Sequence, residues 1–321
     1  MYSEIVQLLT EKETFLITSH IVPDGDSVGS TLALTHALKK TGKKAVPVIN
    51  DIIPKMYSFL PGSSHIKMSV SDRYDVMICL DCGDQDRLGF DKDLKKYAET
   101  IINIDHHKSN TRFGDYNFVD PNVSSAGELL YGIIEQITDI NFDIALCLYT
   151  SIITDTGCAR YSNTTASCLR MLADMIELGV KPEYVCKYVY ENRTVESINL
   201  LAQSLDTIEF FDDGAIASIY ITEQMMKKTG ALEEDANGII NYAREIDGVE
   251  VAVLFREKGD STIKVGLRSN DWVDVSKIAQ SFNGGGHTRA AGCCLDTSLE
   301  HAKNQVINHI REFMSDQKNG H

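Results

Sequence analysis

The sequence predicts an α/β protein of two domains, a larger N-terminal one around a parallel sheet and a smaller C-terminal one around a mixed sheet. In the first half, short apolar runs alternate with amphipathic segments, a pattern typical of βαβ units. A second region of similar alternation follows a polar helical stretch near residue 200. The chain has 321 residues, more than the ~100 to 200 residues of a typical domain, so we expect two cores.

The N-terminal domain is predicted to span residues 1–187. Four apolar runs predict its strands, at residues 14–20, 44–50, 75–81 and 100–107. A helix is predicted over residues 28–40, between the first two runs. Ser125, with Glu128 three residues later, has the spacing of a capping box and predicts the start of a second helix, and residues 142–154 predict a third.

Residues 188–210 are polar with helical spacing, and they predict a helical linker to a C-terminal domain over residues 211–321. Strands are predicted there at residues 215–222, 249–255, 261–269 and 290–296. Helices are predicted near residues 236–245, 275–281 and 298–315. This order of elements indicates a smaller α/β domain with a mixed sheet.

Composition excludes several classes of protein. The first residues are acidic with helical spacing, unlike a signal peptide, and no apolar run reaches the ~20 residues of a membrane span. The eight cysteines lack the density of a disulfide scaffold, so we expect a soluble, cytoplasmic protein without a membrane partner. A net charge of −15 argues against binding of long nucleic acid, which needs a basic surface. The sequence is compatible with a homodimer, but no segment predicts one.

Three of the predicted strands end in side chains that bind metals. The first is followed by His20, Asp24 and Asp26, another ends at Asp81, and another ends in residues 105–107, which read Asp-His-His. The carboxyl ends of parallel strands share one edge of the sheet, where ligands bind. We therefore expect these side chains, far apart in sequence, to converge.

Asp155 is a fourth candidate, because it ends an apolar helix. A carboxylate is disfavoured there, since the helix dipole already concentrates negative charge at that end, and a nearby cation would resolve the conflict. The collected carboxylates and imidazoles favour Mn²⁺, with Mg²⁺, Co²⁺ or Zn²⁺ as alternatives. So many carboxylates would repel one another unless cations lay between them, and a pair of metals would suit hydrolysis at phosphorus.

Taken singly, these residues have ordinary explanations. Asp24 or Asp26 alone is more often a turn or helix-cap residue, and His106 alone could be a core histidine with a satisfied hydrogen bond. Capping preferences do not explain all of them together at one predicted sheet edge. The joint pattern favours a metal site.

The C-terminal domain contains a candidate anion site. Three glycines, Gly284, Gly285 and Gly286, precede His287, and glycines let backbone N–H groups approach an anion closely. A glycine triplet alone is more often a turn. The alternation along residues 261–269 puts Arg268 on the face opposite the apolar side chains, where it could clamp a phosphate or remain a solvated surface residue.

Five motifs, read in order, carry a family resemblance: "HIVPDGDS", "LDCGD", "IDHH", "TDTG" and "GGGH". In this order they resemble the DHH phosphoesterases with their DHH-associated C-terminal domain, over nearly the whole chain. The length and the ending "GGGHTRAAG" are most similar to the nano-RNase branch, whose members hydrolyse short oligoribonucleotides to mononucleotides and convert adenosine 3′,5′-bisphosphate (pAp) to AMP and phosphate.

The resemblance implies an active site in the cleft between the domains. This site would hold two divalent cations, of which Mn²⁺ is the first choice, and Asp81 would bridge them. One cation would be held by His20, Asp24 and Asp81, and the other by Asp26, Asp81, His106 and Asp155. His107 would lie beside the second cation and face the substrate, and Asp105 would orient a neighbouring imidazole. Substrate phosphate would be held by Arg268, Ser269, Gly284, Gly285, Gly286 and His287.

The implied reaction is attack of a metal-activated hydroxide on phosphorus. One rival activity is hydrolysis of the linear dinucleotide pApA in the degradation of cyclic di-AMP, which the same motifs would support. A second rival activity is that of a family II inorganic pyrophosphatase, which the GGGH motif makes less favoured. A third is an inactive nucleotide-binding protein, which would have no reason to keep every carboxylate.

Overall fold

The computed structural model describes residues 2–259 and 261–319, apart from the side chains of His287, Lys318 and Asn319. The chain divides into two units, Met1–Asn192 and Arg193–His321. None of the helices in the described ranges combines the length and apolarity needed to cross a membrane.

The first unit contains a parallel sheet. Its strands are β1 (Thr14–Thr18), β2 (Lys44–Val48), β3 (Tyr74–Leu80), β4 (Ala98–Asp105) and β5 (Tyr116–Val119). All pairings are parallel, in the order β2-β1-β3-β4-β5. The strand β5 lies at the edge of the sheet and is only half-buried, so it lacks the apolar run by which the other strands are recognised.

The helices of the first unit pack against this sheet and against one another. They are α1 (Tyr2–Glu11), α2 (Gly25–Lys40), α3 (Ala126–Ile137), α4 (Phe142–Asp155), α5 (Ala166–Glu177) and α6 (Pro182–Val189). Ser125 is the N-cap of α3 and accepts a hydrogen bond from the backbone N–H of Glu128, at the predicted position. The helices α2 and α4 are almost wholly buried and form much of the core.

Glycine allows α2 to approach α4 closely. A Cβ atom at Gly29 would lie 2.5 Å from the carbonyl oxygen of Cys147 and 2.9 Å from the backbone nitrogen of Ser151, which are distances that no side chain tolerates. The close contact fixes the N-terminal end of α2 against α4.

Replacement of Gly29 by Ala should therefore lower the free energy of unfolding by about 2 kcal/mol, because the helices must move apart. Gly132→Ala is a matched control inside α3, since a Cβ there would meet only the Tyr2 hydroxyl at 3.5 Å. Urea titrations of both variants measure the difference. Equal midpoints for Gly29→Ala, Gly132→Ala and the parent protein would contradict the close-packing argument.

The second unit contains a mixed sheet. Its strands are β6 (Glu209–Phe211), β7 (Ile216–Ile221), β8 (Val251–Lys258), β9 (Thr262–Ser269), β10 (Gly285–His287) and β11 (Ala290–Asp296). Their order is β10-β11-β9-β8-β7-β6, and only β7 and β8 pair in parallel within the described ranges. The predicted α/β class, with a parallel sheet followed by a mixed one, is confirmed.

Five helices accompany the mixed sheet among the described residues: α7 (Val195–Leu205), α8 (Glu223–Thr229), α9 (Ile239–Arg244), α10 (Val275–Gln280) and α11 (Leu299–Asn319). One face of the sheet shares a core with α10 and α11, and the other packs its β7 and β8 side chains against α7 and α9. The helix α7 lies in the segment predicted as a linker, and its Leu200 and Leu201 contribute to the core of the second unit.

Candidate metal centre

The predicted metal ligands of the first unit follow three neighbouring strands. The strands β1, β3 and β4 lie side by side and run parallel, so their carboxyl ends share an edge. His20 comes shortly after β1, Asp81 directly follows β3, and Asp105 ends β4, with His106 and His107 next. The structure brings these side chains together.

The Asp81 carboxylate lies at the centre of the group and is buried. Its Oδ2 lies 3.3 Å from Nε2 of His20, and its Oδ1 lies 3.4 Å from Nε2 of His106 and 3.5 Å from Nδ1 of His107. Asp81 has a φ of +49°, in the left-handed region that few residues other than glycine adopt. Such conformations cluster at functional sites, where the surrounding structure holds them.

His20 and Asp24 approach Asp81 from the loop that joins β1 to α2. Asp24 is the N-cap of α2, the role that a lone Asp at this position would have. Its Oδ1 accepts a hydrogen bond of 3.0 Å from the backbone N–H of Ser27. Its Oδ2 lies 3.8 Å from Nε2 of His20. Nδ1 of His20 lies 2.8 Å from the carbonyl oxygen of Ile21, to which it donates when protonated. This leaves Nε2 facing the carboxylates, the arrangement expected of a metal-binding histidine.

Asp26 is buried in the first turn of α2 and is held by three donors. Its Oδ2 accepts from the backbone N–H of Ala126 at 2.7 Å, and its Oδ1 accepts from the N–H of Gly127 at 3.2 Å and from the Ser151 hydroxyl. Two donors therefore come from the N-terminal end of α3 and one from α4. They fix the carboxylate so that Oδ2 lies 3.7 Å from Nε2 of His106.

Asp155 ends α4, as predicted, and its Oδ2 also lies 3.7 Å from Nε2 of His106. The side-chain amide of Asn163 donates to the carbonyl oxygen of Asp155 at 3.1 Å and to its Oδ2 at 3.3 Å. The carboxylate is thus directed towards His106 from the helix end.

Three overlapping groups in the described part of the chain could each hold a metal ion, with candidate ligand atoms within 4.8 Å of one another. They are His20 with Asp24 and Asp81, Asp26 with His106 and Asp155, and Asp81 with His106 and His107. Asp81 therefore belongs to two groups, and His106 links two. Carboxylate and imidazole ligands without thiolates suit Mn²⁺ and similar divalent cations, so the donor set fits the expected metals.

The crowded charges also shift the protonation of the side chains. Burial disfavours the charged form of His20, but Asp81 and Asp24 outweigh it and raise the pKa of His20 to about 9. Burial and the neighbouring Asp81 raise the pKa of Asp155 to about 7, and they raise the pKa of Asp26 well above its ordinary value. These carboxylates would ionise together readily only with positive charge between them.

His107 is oriented by a second layer of hydrogen bonds. Its Nδ1 lies 2.7 Å from Oδ1 of Asp105, which is wholly buried. The amide of Asn110 donates to Oδ2 of Asp105 and, at 2.8 Å, to Oδ1 of buried Asn103. Burial would raise the pKa of Asp105, but the bond from His107 reverses this and lowers it.

Sequence reasoning missed three supporting residues. Ser151 lies one helical turn before Asp155, so the spacing on α4 was a usable signal. Asn110 follows the Asp-His-His motif closely, which was a weaker signal. For Asn163 no local pattern indicates a role, because its contact depends on how the chain turns after α4.

The predicted substrate residues lie in the second unit. Arg268 is on the face of β9 away from α10 and α11, and Ala252 and Ala290 are its neighbours on the adjacent strands. Ser269 is buried on the other face, and its hydroxyl donates to the carbonyl oxygen of Val273 at 2.6 Å. Among the glycines, Gly284 packs closely against β11: a Cβ atom at this position would lie 2.2 Å from the carbonyl oxygen of Gly292. The side chain of His287 lies outside the described residues.

Two family models match the chain. The model described as the DHH family, N-terminal domain, matches residues 14–152, and the model described as the DHHA1 domain matches residues 215–316. Each match falls within one of the two units.

Relatives are similar along nearly the whole chain. A protein of Thermus thermophilus named bifunctional oligoribonuclease and PAP phosphatase NrnA is 32% identical over 309 residues, covering 93% of this chain and 90% of that protein. A protein of the same name from Bacillus subtilis is 26% identical over 302 residues, covering 92% of this chain and 93% of that protein. The crystal structure of an exopolyphosphatase-related protein from Bacteroides fragilis matches with a TM-score of 0.89 at 24% identity, covering 99% of this chain and 96% of that one. The last similarity supports the fold alone.

Proposed function

Because the chain belongs to the DHH family of phosphoesterases, we propose that it hydrolyses short oligoribonucleotides to mononucleotides and pAp to AMP and phosphate. The family resemblance predicted from the five motifs is confirmed, and the chain is a hydrolase. The observation that carries the proposal is the buried Asp81 carboxylate, which lies between two groups of candidate metal ligands.

In this proposal the site holds two divalent cations, with Mn²⁺ the expected ion. His20, Asp24 and Asp81 would hold one cation, and Asp26, Asp81, His106 and Asp155 would hold the other. Such cations lower the pKa of water for attack on phosphorus and stabilise charge on the phosphoryl oxygens.

The other residues would position the substrate and move protons. With Nδ1 of His107 donating to Asp105, Nε2 is the ring atom left for the substrate, and in the doubly protonated ring it would donate to a substrate phosphate or to the leaving oxygen. Arg268 would bind a substrate phosphate through two parallel N–H bonds. The net charge of −15 favours substrates of a few nucleotides over long RNA. We place the reaction in the cytoplasm, where the eight free cysteines would stay reduced.

Metal binding should release protons, because a cation needs the unprotonated Nε2 of His20 and ionised carboxylates. His20, with a pKa of about 9, holds a proton at pH 7, and Asp155, with a pKa of about 7, is about half protonated there. Affinity for Mn²⁺ should therefore rise as the pH increases from 6 to about 9 and level off above it.

Calorimetric titration of the protein with Mn²⁺ at pH 7 measures this release, since the observed heat depends on the ionisation enthalpy of the buffer. The slope should correspond to more than one proton per molecule, because His20 releases one and Asp155 about half of one, and it should decrease at pH 9.5. Identical heats in phosphate-free buffers of different ionisation enthalpy would contradict the shifted pKa values.

The activity is tested by incubating the full chain and Mn²⁺ with diadenylate, pApA, pAp, a long single-stranded RNA and pyrophosphate in parallel. Mononucleotides from the dinucleotides and AMP from pAp, with little hydrolysis of long RNA, would support the proposal. A strong preference for pApA would favour the dinucleotide phosphodiesterase, and hydrolysis of pyrophosphate alone would favour the pyrophosphatase. No turnover with tight Mn²⁺ binding would leave a nucleotide-binding protein.

A further inference from the structure

The single tryptophan of the chain lies on the surface of the second unit. Trp272 belongs to the loop of residues 270–274, which joins β9 to α10, and it is 39% exposed. Its neighbour Val273 is wholly buried in the core that α10 and α11 share with the sheet. A lone exposed ring is common on protein surfaces, so its meaning depends on how it is held and on what lies beside it. The proposed function makes no use of Trp272.

A buried carboxylate holds the loop that carries Trp272. Glu250 is buried, and its two oxygens accept hydrogen bonds from three successive backbone N–H groups. The donors of Asp271, Trp272 and Val273 lie 3.0, 2.9 and 2.7 Å away. The side-chain amide of Asn270 anchors the start of the loop, since it donates to two backbone carbonyl oxygens at 2.9 and 2.7 Å. Because carboxylates accept stronger hydrogen bonds than neutral oxygens do, the backbone at Trp272 is fixed before any ligand binds.

The same loop is bonded to the turn between β10 and β11. The guanidinium of Arg289 donates to the carbonyl oxygen of Asp271 and, at 2.8 Å, to that of Val273. The backbone N–H of Val275, just after the loop, donates to the carbonyl oxygen of Thr288 at 2.9 Å. The loop and the turn therefore form one hydrogen-bonded corner of the second unit.

Arg268 lies at this corner. Its register partner on β11 is Ala290, and Ala290 also pairs with His287 of β10, so the three residues occupy one row across the sheet. Small residues leave room beside this row, since a Cβ atom at Gly285 would meet no atom of the described residues within 4 Å. Four residues separate Arg268 from Trp272, so their Cα atoms lie at most about 14 Å apart. Because both side chains are long, a nucleotide with its phosphate at Arg268 can reach the indole with its base.

We propose that the indole of Trp272 is a stacking platform for a nucleobase, which favours purines over pyrimidines in ligands whose phosphate lies at Arg268. The identity of the ligand rests on the proposed function. A cation beside an exposed aromatic ring is the combination with which proteins bind single-stranded nucleotides. The two fused rings of an indole overlap more with a purine than with a pyrimidine. Because the loop is already fixed, stacking costs little ordering of the protein.

The first test uses Trp272 as its own probe, because it gives the only tryptophan fluorescence of the chain. The full chain in EDTA is titrated with diadenylate and, separately, with ribose 5-phosphate, which has a phosphate and no base. Diadenylate should change the fluorescence in a saturable way, and ribose 5-phosphate should leave it unchanged. A change of equal size with ribose 5-phosphate would overturn the base contact, as would constant fluorescence at diadenylate concentrations that saturate binding in calorimetry.

Calorimetry of variants measures what the ring contributes to binding. Trp272→Ala should weaken diadenylate binding about tenfold, and Trp272→Phe at most about threefold, because phenylalanine keeps a smaller stacking surface. The wild-type chain should bind diadenylate about threefold more tightly than diuridylate, and Trp272→Ala should lose this preference. A ring that only maintained the shape of the loop would, when removed, weaken binding of both dinucleotides equally, and that result would overturn the platform.

Phe210→Ala is the matched control, since Phe210 is an exposed aromatic residue on β6, at the far edge of the same sheet. Equal losses of diadenylate binding in Trp272→Ala and Phe210→Ala would overturn the platform, as would unchanged binding in Trp272→Ala. Failure of the wild-type chain to bind diadenylate would overturn it too. If diadenylate binding depends on Trp272 but diadenylate and pAp are not hydrolysed with Mn²⁺, the proposed function fails while the platform stands.

Discussion

Replacement of Asp81 by Asn should lower kcat for diadenylate and pAp by about a thousandfold. Among the residues that the structure describes, Asp81 is the one carboxylate shared by two of the candidate ligand groups, with oxygens 3.3 Å from His20 and 3.4 Å from His106. The amide that replaces it is neutral and cannot balance two cations. Loss of several kcal/mol of charge stabilisation in the transition state corresponds to about three orders of magnitude in rate.

Asparagine is the informative substitution because it separates chemistry from folding. It has the shape of aspartate, and it tolerates the positive φ of +49° at this position, which alanine would adopt less readily. Asp84→Asn is the matched control, since Asp84 lies in the same loop and caps a 3₁₀ turn through a backbone hydrogen bond. Both variants should show the circular dichroism of the parent protein. Turnover by Asp81→Asn close to that of Asp84→Asn would refute the assignment of Asp81.

Replacement of Ser151 by Ala should weaken metal binding at the Asp26 group by about 10-fold to 100-fold. The Ser151 hydroxyl is the only side-chain donor to Asp26 among the described residues, and it bonds Oδ1 of a carboxylate that is wholly buried. Groups that orient a metal ligand typically contribute this much to affinity. Loss of the hydroxyl also removes a hydrogen bond that favours the ionised carboxylate, so the free energy of ionising the buried Asp26 increases.

Thr150→Val controls for the loss of a hydroxyl from the same helix. Thr150 is equally buried, but its hydroxyl donates to the carbonyl oxygen of Leu146 and forms no hydrogen bond with a candidate ligand in the described part of the chain. Titration with Mn²⁺ should show one weakened site in Ser151→Ala and two unchanged sites in Thr150→Val. Equal Mn²⁺ affinities in the two variants would show that Ser151 has a packing role only.

The strands and their terminal ligands could be predicted because both leave local marks in the sequence. An apolar run ending in Asp81, or in the Asp-His-His of residues 105–107, marks a buried strand and its carboxyl end together. The strand β10 could not be predicted, because its glycines indicate a turn and only pairing with β11 makes it a strand. The spacing of Ser151 and Asp155 on α4 places both on one face of the helix, but that Ser151 bonds Asp26 depends on the packing of α2 against α4 and leaves no local mark in the sequence.

The hydrogen bond between Ser151 and Asp26 joins residues 125 positions apart in the chain. The site around Asp26 is therefore completed only after the sheet, α2 and α4 have come together, which we expect to happen late in folding. Ions bound there would stabilise the native state more than the folding transition state. They would slow unfolding and leave the folding rate almost unchanged, so that a cofactor needed for chemistry would also lengthen the lifetime of the folded protein.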